Sequence, residues 1–190
     1  MALISAKTII TSLSLFHITL AYFFLTSPVT IADQALVYVL GESMGMPYAR
    51  SFENKSPALA FLAAVLAMLG FSDLVTLSMP EEVWLIYYWG TQAPVRLFLS
   101  MTFVIYTFLF GPSSPLYGSP TRGGNRFAHP SAHVTNPRYT PSTWGGDGLK
   151  NRVFLTFAFL EMMCWFWAWM TLREEQEQFK RKQRKRRDSE

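Results

Sequence analysis

The sequence predicts an all-α integral membrane protein, a bundle of about four transmembrane helices with a long irregular loop before the last helix and a basic C-terminal tail. Three observations carry this prediction. Half of the 190 residues are apolar, among them sixteen Phe, eight Tyr and six Trp. The charges are gathered into loops and a tail, whereas a soluble helix interrupts its apolar residues every few positions to show water a polar face. Four charge-poor runs approach the roughly 20 residues that cross ~30 Å of hydrocarbon at 1.5 Å per residue.

The first run goes from Thr8 to Thr26 without a formal charge, His17 being its one titratable group. Lys7 precedes it, as a lysine precedes the core of a signal peptide. The run is longer than the roughly 7–15 apolar residues of such cores, and Ser27-Pro28 offers no Ala-x-Ala-like cleavage site, so a retained signal anchor is expected. In the first loop, Ser27 to Ser56, the apolar stretch Gln34 to Leu40 is too short to span and is expected to lie along the membrane surface. Asn54-Lys55-Ser56 is formally a glycosylation acceptor, but Pro57 follows directly and the next span starts at once, so its use is not expected.

The second span runs from Ala58 to Met79 and carries one charge, Asp73, near its far end. Glu81 and Glu82 follow, placed to favour the N-terminus of the third helix through its dipole. That helix is plainest from Val95 to Gly111; it starts either near Val95 or at Val83, the latter with a break around Gly90 and Pro94. The fourth span runs from Val153 to Leu172 with Glu161 at its centre. Pro57, Pro80 and Pro112 stand at segment ends, where proline starts or stops a helix without breaking internal hydrogen bonds. The single cysteine, Cys164, excludes an intramolecular disulfide and reads as a small apolar residue at a helix contact.

From Gly111 to Asn151 the chain is rich in Gly, Pro, Ser and Thr without apolar periodicity, which predicts an irregular loop. His129 and His133 have the i, i+4 spacing of a helical metal pair, but Pro130 opposes a helix and no Glu or Cys stands nearby to complete a site. The glycines of Arg122-Gly123-Gly124-Asn125-Arg126 and Trp144-Gly145-Gly146-Asp147-Gly148 lack P-loop or dinucleotide spacing and follow no strand; they read as flexible loop. No catalytic residue, metal ligand or cofactor is predicted.

The tail, residues 173–190, opens with Arg173 and Glu174-Glu175-Gln176-Glu177 and continues with Lys180, Arg181, Lys182, Arg184, Lys185, Arg186 and Arg187. It is expected to prolong the fourth helix before fraying, with Glu177 pairing to Arg181 one turn on. A basic cluster beside the last span places the C-terminus in the cytoplasm, and four spans then place the N-terminus there too, in agreement with Lys7. Arg122, Arg126, Arg138, Lys150 and Arg152 argue the other way, and the denser charges of the tail decide. The same cations suit anionic lipid headgroups, at ~1 kcal/mol for each basic residue near the surface. Without interleaved aromatics or a recognised module, direct nucleic-acid binding is not expected.

Ionisable residues in hydrocarbon carry a penalty of about 2.5–3.5 kcal/mol at the helix centre on insertion scales, which makes them functional suspects. His17 and Glu161 fall near the midpoints of their spans, hence at similar depth. Ser14, His17 and Ala21 share one face, as do Ala158, Glu161 and Ala168, so each polar group sits among small residues that let helices approach. A hydrogen-bonded His17–Glu161 contact is predicted. Asp73 continues the small stripe Ala63, Ala67, Gly70, and forms a second candidate pair with Arg96, whose alternative is to snorkel toward headgroups. Both pairs read as glue between helices. A proton- or ion-handling path is the sharper alternative, although no discontinuous-helix repeat accompanies it.

Pro80-Glu81-Glu82-Val83-Trp84, then Tyr87-Tyr88-Trp89-Gly90-Thr91-Gln92-Ala93-Pro94-Val95-Arg96, with Met1-Ala2-Leu3-Ile4-Ser5-Ala6-Lys7 opening the chain, resemble a small fungal family of multi-span membrane proteins named "increased loss of mitochondrial DNA". The resemblance extends to the fourth span. It implies residence in the endoplasmic reticulum membrane, a mitochondrial membrane being the alternative, and a phenotype in mitochondrial genome maintenance; it implies no activity. Three functions follow as expectations: a non-enzymatic protein whose apolar faces and basic tail engage membrane lipids or a membrane-protein partner; a small transporter or channel using His17 and Glu161; and a membrane-embedded, lipid-modifying enzyme using Asp73, Arg96 or the histidines as acid or base.

Overall fold

A computed structural model of the chain describes residues 4–111, 114 and 144–188. Among the described residues the architecture is all helical. The helices are α1 (Ala6–Thr26), the short α2 (Pro28–Ala32) and α3 (Ala35–Ser43), α4 (Pro57–Thr76), α5 (Trp89–Phe110) and α6 (Arg152–Arg187). A π-helical turn over Val83–Tyr88 leads into α5 and makes with it one helix of 28 residues. Four helices are long and apolar enough to cross a membrane: α1, α4, the joined Val83–Phe110 and α6.

Three of the four spanning helices start on a side-chain cap. Ser5 accepts from the Thr8 N–H, Ser56 from Leu59 and Asn151 from Phe154, so orphan amide donors at three helix N-termini are capped. The hydroxyl of the Asn54-Lys55-Ser56 string thus serves as a cap. Pro57 follows at the first helical position, where its missing N–H breaks no bond.

The third spanning helix corrects the expected break. Trp89 donates its N–H to the Trp84 carbonyl five residues back, and the helix runs on through Pro94 to Phe110. Neither Gly90 nor Pro94 ends it. A helical proline loses one bond and crowds the carbonyl four residues earlier, here that of Gly90, and a helix packed in a bundle tolerates this through local adjustment. The stretch Gln34–Leu40 lies mostly within α3, which packs on α6 and buries Val37 and Gly41.

The bundle is apolar outside and, unlike a soluble protein, keeps its intramembrane charges within. Phe61 and Met68 are 73% and 76% exposed, while His17 and Asp73 are 0% and 1% exposed. Such an apolar exterior is stable against lipid rather than water. The broadest interfaces join α1 to α4 and α5 to α6, and α6 also touches α1 and α3. Two apolar cores result. One gathers Ile10, Leu13, Leu85, Trp89, Trp165 and Leu172; the other gathers Ala21, Phe24, Val37, Ala63, Leu66 and Val153. His17 on α1 and Glu161 on α6 fall between them in chain order.

The ends of the bundle are tied on one side. Glu175 Oε1 accepts from the backbone N–H of Ala6 at 2.8 Å, and Gln176 Nε2 donates to the Leu85 carbonyl at 2.8 Å. The start of α1, the π-turn and the far part of α6 therefore share one face of the molecule. Residues 112–113 and 115–143 lie outside the described residues, and with them His129, His133, Arg122, Arg126, Arg138 and the Gly123-Gly124 string. The second glycine string is described, and it forms a 3₁₀ turn over Gly145–Leu149 with Trp144 as its cap rather than an irregular loop. Trp144 meets Tyr106 edge-on, and Lys150 pairs with Asp147 at 2.5 Å, which explains its order.

Candidate functional site

Gly70 determines how closely the first two spans meet. A Cβ at this position would lie 2.7 Å from the Ser14 carbonyl oxygen and 2.8 Å from Ile18 Cγ1, so only glycine lets the α4 and α1 backbones touch here. Ser14 satisfies its own hydroxyl on the Ile10 carbonyl, 2.8 Å away, and lies flat against α1. One turn further, His17 points across the bundle toward α6.

His17 Nε2 lies 2.7 Å from Glu161 Oε1. The second carboxyl oxygen, Oε2, accepts the indole N–H of Trp165 at 2.7 Å. Trp165 stands four residues after Glu161, one turn along the same face of α6. Because an indole nitrogen only donates, Oε2 is an acceptor in this contact. The opposite ring nitrogen of His17, Nδ1, is buried without a hydrogen-bond partner among the described residues. Phe16 and Phe157 flank the imidazole, with ring centroids 6.2 and 6.1 Å from its own.

Arg96 on α5 grips Asp73 on α4 with both terminal nitrogens, at 2.5 and 2.8 Å. Paired, parallel N–H bonds of this kind match a guanidinium to a carboxylate and are the strong form of the contact. The guanidinium carbon also lies 5.1 Å from the centre of the Trp89 ring and 4.9 Å from that of Trp165. The two indoles stack on each other, 5.4 Å apart at 19°. Arg96 thus sits against two π faces, where a partly desolvated cation gains up to ~2 kcal/mol.

The two pairs are therefore one network. Trp165 hydrogen-bonds Glu161 with its nitrogen and holds Arg96 with its ring, so His17, Glu161, Trp165, Arg96 and Asp73 connect α1, α6, α5 and α4. Trp165 and Trp89 are the residues that sequence reasoning missed. The i, i+4 step from Glu161 was a readable signal for the first; nothing local marked the second.

A further clasp joins distant parts of the chain. Arg152 Nε donates to the Met46 carbonyl at 2.8 Å and Nη2 to Glu42 at 2.7 Å, with the guanidinium 5.5 Å from the Tyr38 ring. A Cβ on Gly41 would lie 2.2 Å from Arg152 Cγ, so this glycine makes room for the side chain. Outside the spans, burial and the nearby Asp33 and Glu53 push the Tyr48 hydroxyl above its ordinary range. Lys180, Arg181, Lys182, Arg184, Lys185, Arg186 and Arg187 do not enter the network; all seven are exposed along the extension of α6. No group of three metal-ligating side chains occurs among the described residues.

An apolar exterior, four spanning helices and charges confined to mutual pairs inside define a multi-pass α-helical membrane protein. The pattern of the increased loss of mitochondrial DNA protein 1 family matches residues 4–182, nearly the whole chain, and the chain belongs to that family. Membership links it to the maintenance of mitochondrial DNA. No curated protein and no solved structure matches the chain.

Proposed function

We propose that the chain is a non-enzymatic protein of the endoplasmic reticulum membrane, with both termini cytoplasmic, that engages anionic lipid through its basic extension and acts on mitochondrial DNA indirectly, through lipid supply or membrane contact. The location rests on the sequence resemblance, and the orientation on the basic cluster beside the last span. One observation carries the reading. α6 continues unbroken from the bundle into Lys180–Arg187 after Glu175 and Gln176 have anchored it to α1 and to the π-turn. At 1.5 Å per residue, Arg187 stands about 17 Å beyond Gln176, whereas the headgroup layer on each side is only roughly 5–8 Å deep. The nearer cations meet headgroups of the same membrane, and the farther ones face the space beyond.

The test uses the full chain in neutral-lipid nanodiscs and vesicles containing phosphatidylserine. Capture of the vesicles is expected, lost at high salt and lost when the seven basic residues from Lys180 to Arg187 are replaced by Ser. Equal capture by both proteins overturns the reading. Affinity purification in mild detergent tests for a membrane-protein partner in the same role.

The unpartnered Nδ1 of His17 favours a second reading, proton-coupled transport through the His17–Glu161 pair. Proton flux into liposomes that vanishes in Glu161→Gln supports it, and an absence of flux in the unaltered protein removes it.

A further inference from the structure

A cavity of about 410 Å³ opens between α1, α3, α4 and α6, in the half of the bundle away from the anchored termini. This lies within the ~300–1,000 Å³ typical of ligand pockets. Its walls are almost wholly apolar, with Phe23, Phe24, Leu66 and Phe157 among them. Gln34 and Thr30, on the segment that bridges the ends of α1 and α4, supply polar groups at one end, and Phe16 and Leu160 close the other beside the His17–Glu161 pair. The stretch of α1 from Phe16 to Phe24 is about 12 Å long at 1.5 Å per residue, close to the ~15 Å of one leaflet's hydrocarbon.

One polar atom inside has no partner. Thr156 lines the cavity and is 3% exposed, yet its hydroxyl makes no hydrogen bond among the described residues. Helical Thr ordinarily bonds the carbonyl three or four residues back, as Thr19 in the α1 wall does on Leu15 at 2.8 Å. Thr156 stands one turn inside the start of α6, about 6 Å along the axis from Arg152.

We infer that this cavity holds one acyl chain of a glycerolipid, whose ester carbonyl accepts the Thr156 hydroxyl. The length of the α1 wall selects a single chain, the walls select hydrocarbon, and the buried hydroxyl selects a hydrogen-bond acceptor on it. The site lies at the opposite end of the bundle from the basic extension, so it stands or falls independently of headgroup binding there.

The experiment reconstitutes the full chain with a phosphatidylcholine carrying a photoactivatable group in its acyl chain, and maps the labelled peptides by mass spectrometry. Label is expected in residues 16–24 of α1 and 153–160 of α6. Leu62→Trp, at the half-exposed edge of the cavity, is expected to lower that label at least fivefold while leaving Phe98 on the outer face labelled as before. Thr156→Val, which keeps the shape and removes the hydroxyl, is expected to lower it about threefold, the size of an average hydrogen bond in a membrane. Label spread evenly over the exposed faces of both variants and the parent overturns the proposal. So does label at these residues that unlabelled cholesterol displaces and unlabelled phosphatidylcholine does not.

Discussion

Asp73 and Glu161 face the same difficulty, a carboxyl group where water is excluded, and meet it differently. Asp73 takes the fork of Arg96, and Glu161 takes one nitrogen from each of two rings. Removing one member of a buried ion pair strands the other's charge, so Asp73→Ala is expected to destabilise the bundle by about 3 kcal/mol, with part of the loss recovered in the double variant Asp73→Ala/Arg96→Ala. Unfolding in mixed micelles reads both values, and a loss under about 0.5 kcal/mol for the single variant rules out a buried pair. Trp165→Phe keeps a smaller ring for Arg96 but deletes the N–H to Glu161 and part of the buried indole stacked on Trp89, which predicts a loss of about 1–3 kcal/mol in the same assay. Depth was legible at this scale. Counting from the span ends puts His17 and Glu161 level, and they lie 2.7 Å apart. The rotation of each helix was not legible, because the stacking of Trp89 on Trp165 depends on where α5 lies against α6.

Helices are local objects, and their existence was readable from apolar run length alone; the devices that join them were not. The π-turn before α5 illustrates why. Gly90 and Pro94 have the residue chemistry of a break, yet the turn is held from outside by Gln176, whose amide reaches the Leu85 carbonyl and would lie 2.6 Å from a Cβ on Gly90. A contact across 91 residues leaves no mark in a local window. Gly90→Leu is therefore expected to displace Gln176 and speed amide exchange through Val83–Tyr88, and unchanged exchange there contradicts the anchoring role. Glu175→Ala removes an acceptor from the start of α1, with an expected loss of about 1 kcal/mol. Amide exchange at Ala6 is its reporter. At Gly70 the reasoning is steric: Leu in its place separates α4 from α1 and is expected to weaken the protein by several kcal/mol, more than any surface change on either helix.

At the scale of the molecule, the bundle is a membrane protein because its exterior is hydrocarbon and its charges answer one another inside. Both ends of the described chain lie on one face, since Ala6 and Glu175 touch. With Cys164 replaced by Ala, new cysteines at Ser5 and Asp188 are expected to react with an impermeant maleimide from the same side of sealed vesicles, and one at Glu53 from the other. The basic cluster supplied the expected side, while the shared face follows from the fold. What unites these levels is the claim that the four spans are held by a single polar network through Trp165. A double-mutant cycle between Glu161→Gln and Asp73→Asn, read by unfolding in micelles, tests it most directly. The account predicts a coupling of about 1 kcal/mol that vanishes in a Trp165→Leu background; strict additivity, within about 0.3 kcal/mol, would mean two separate pairs and no network.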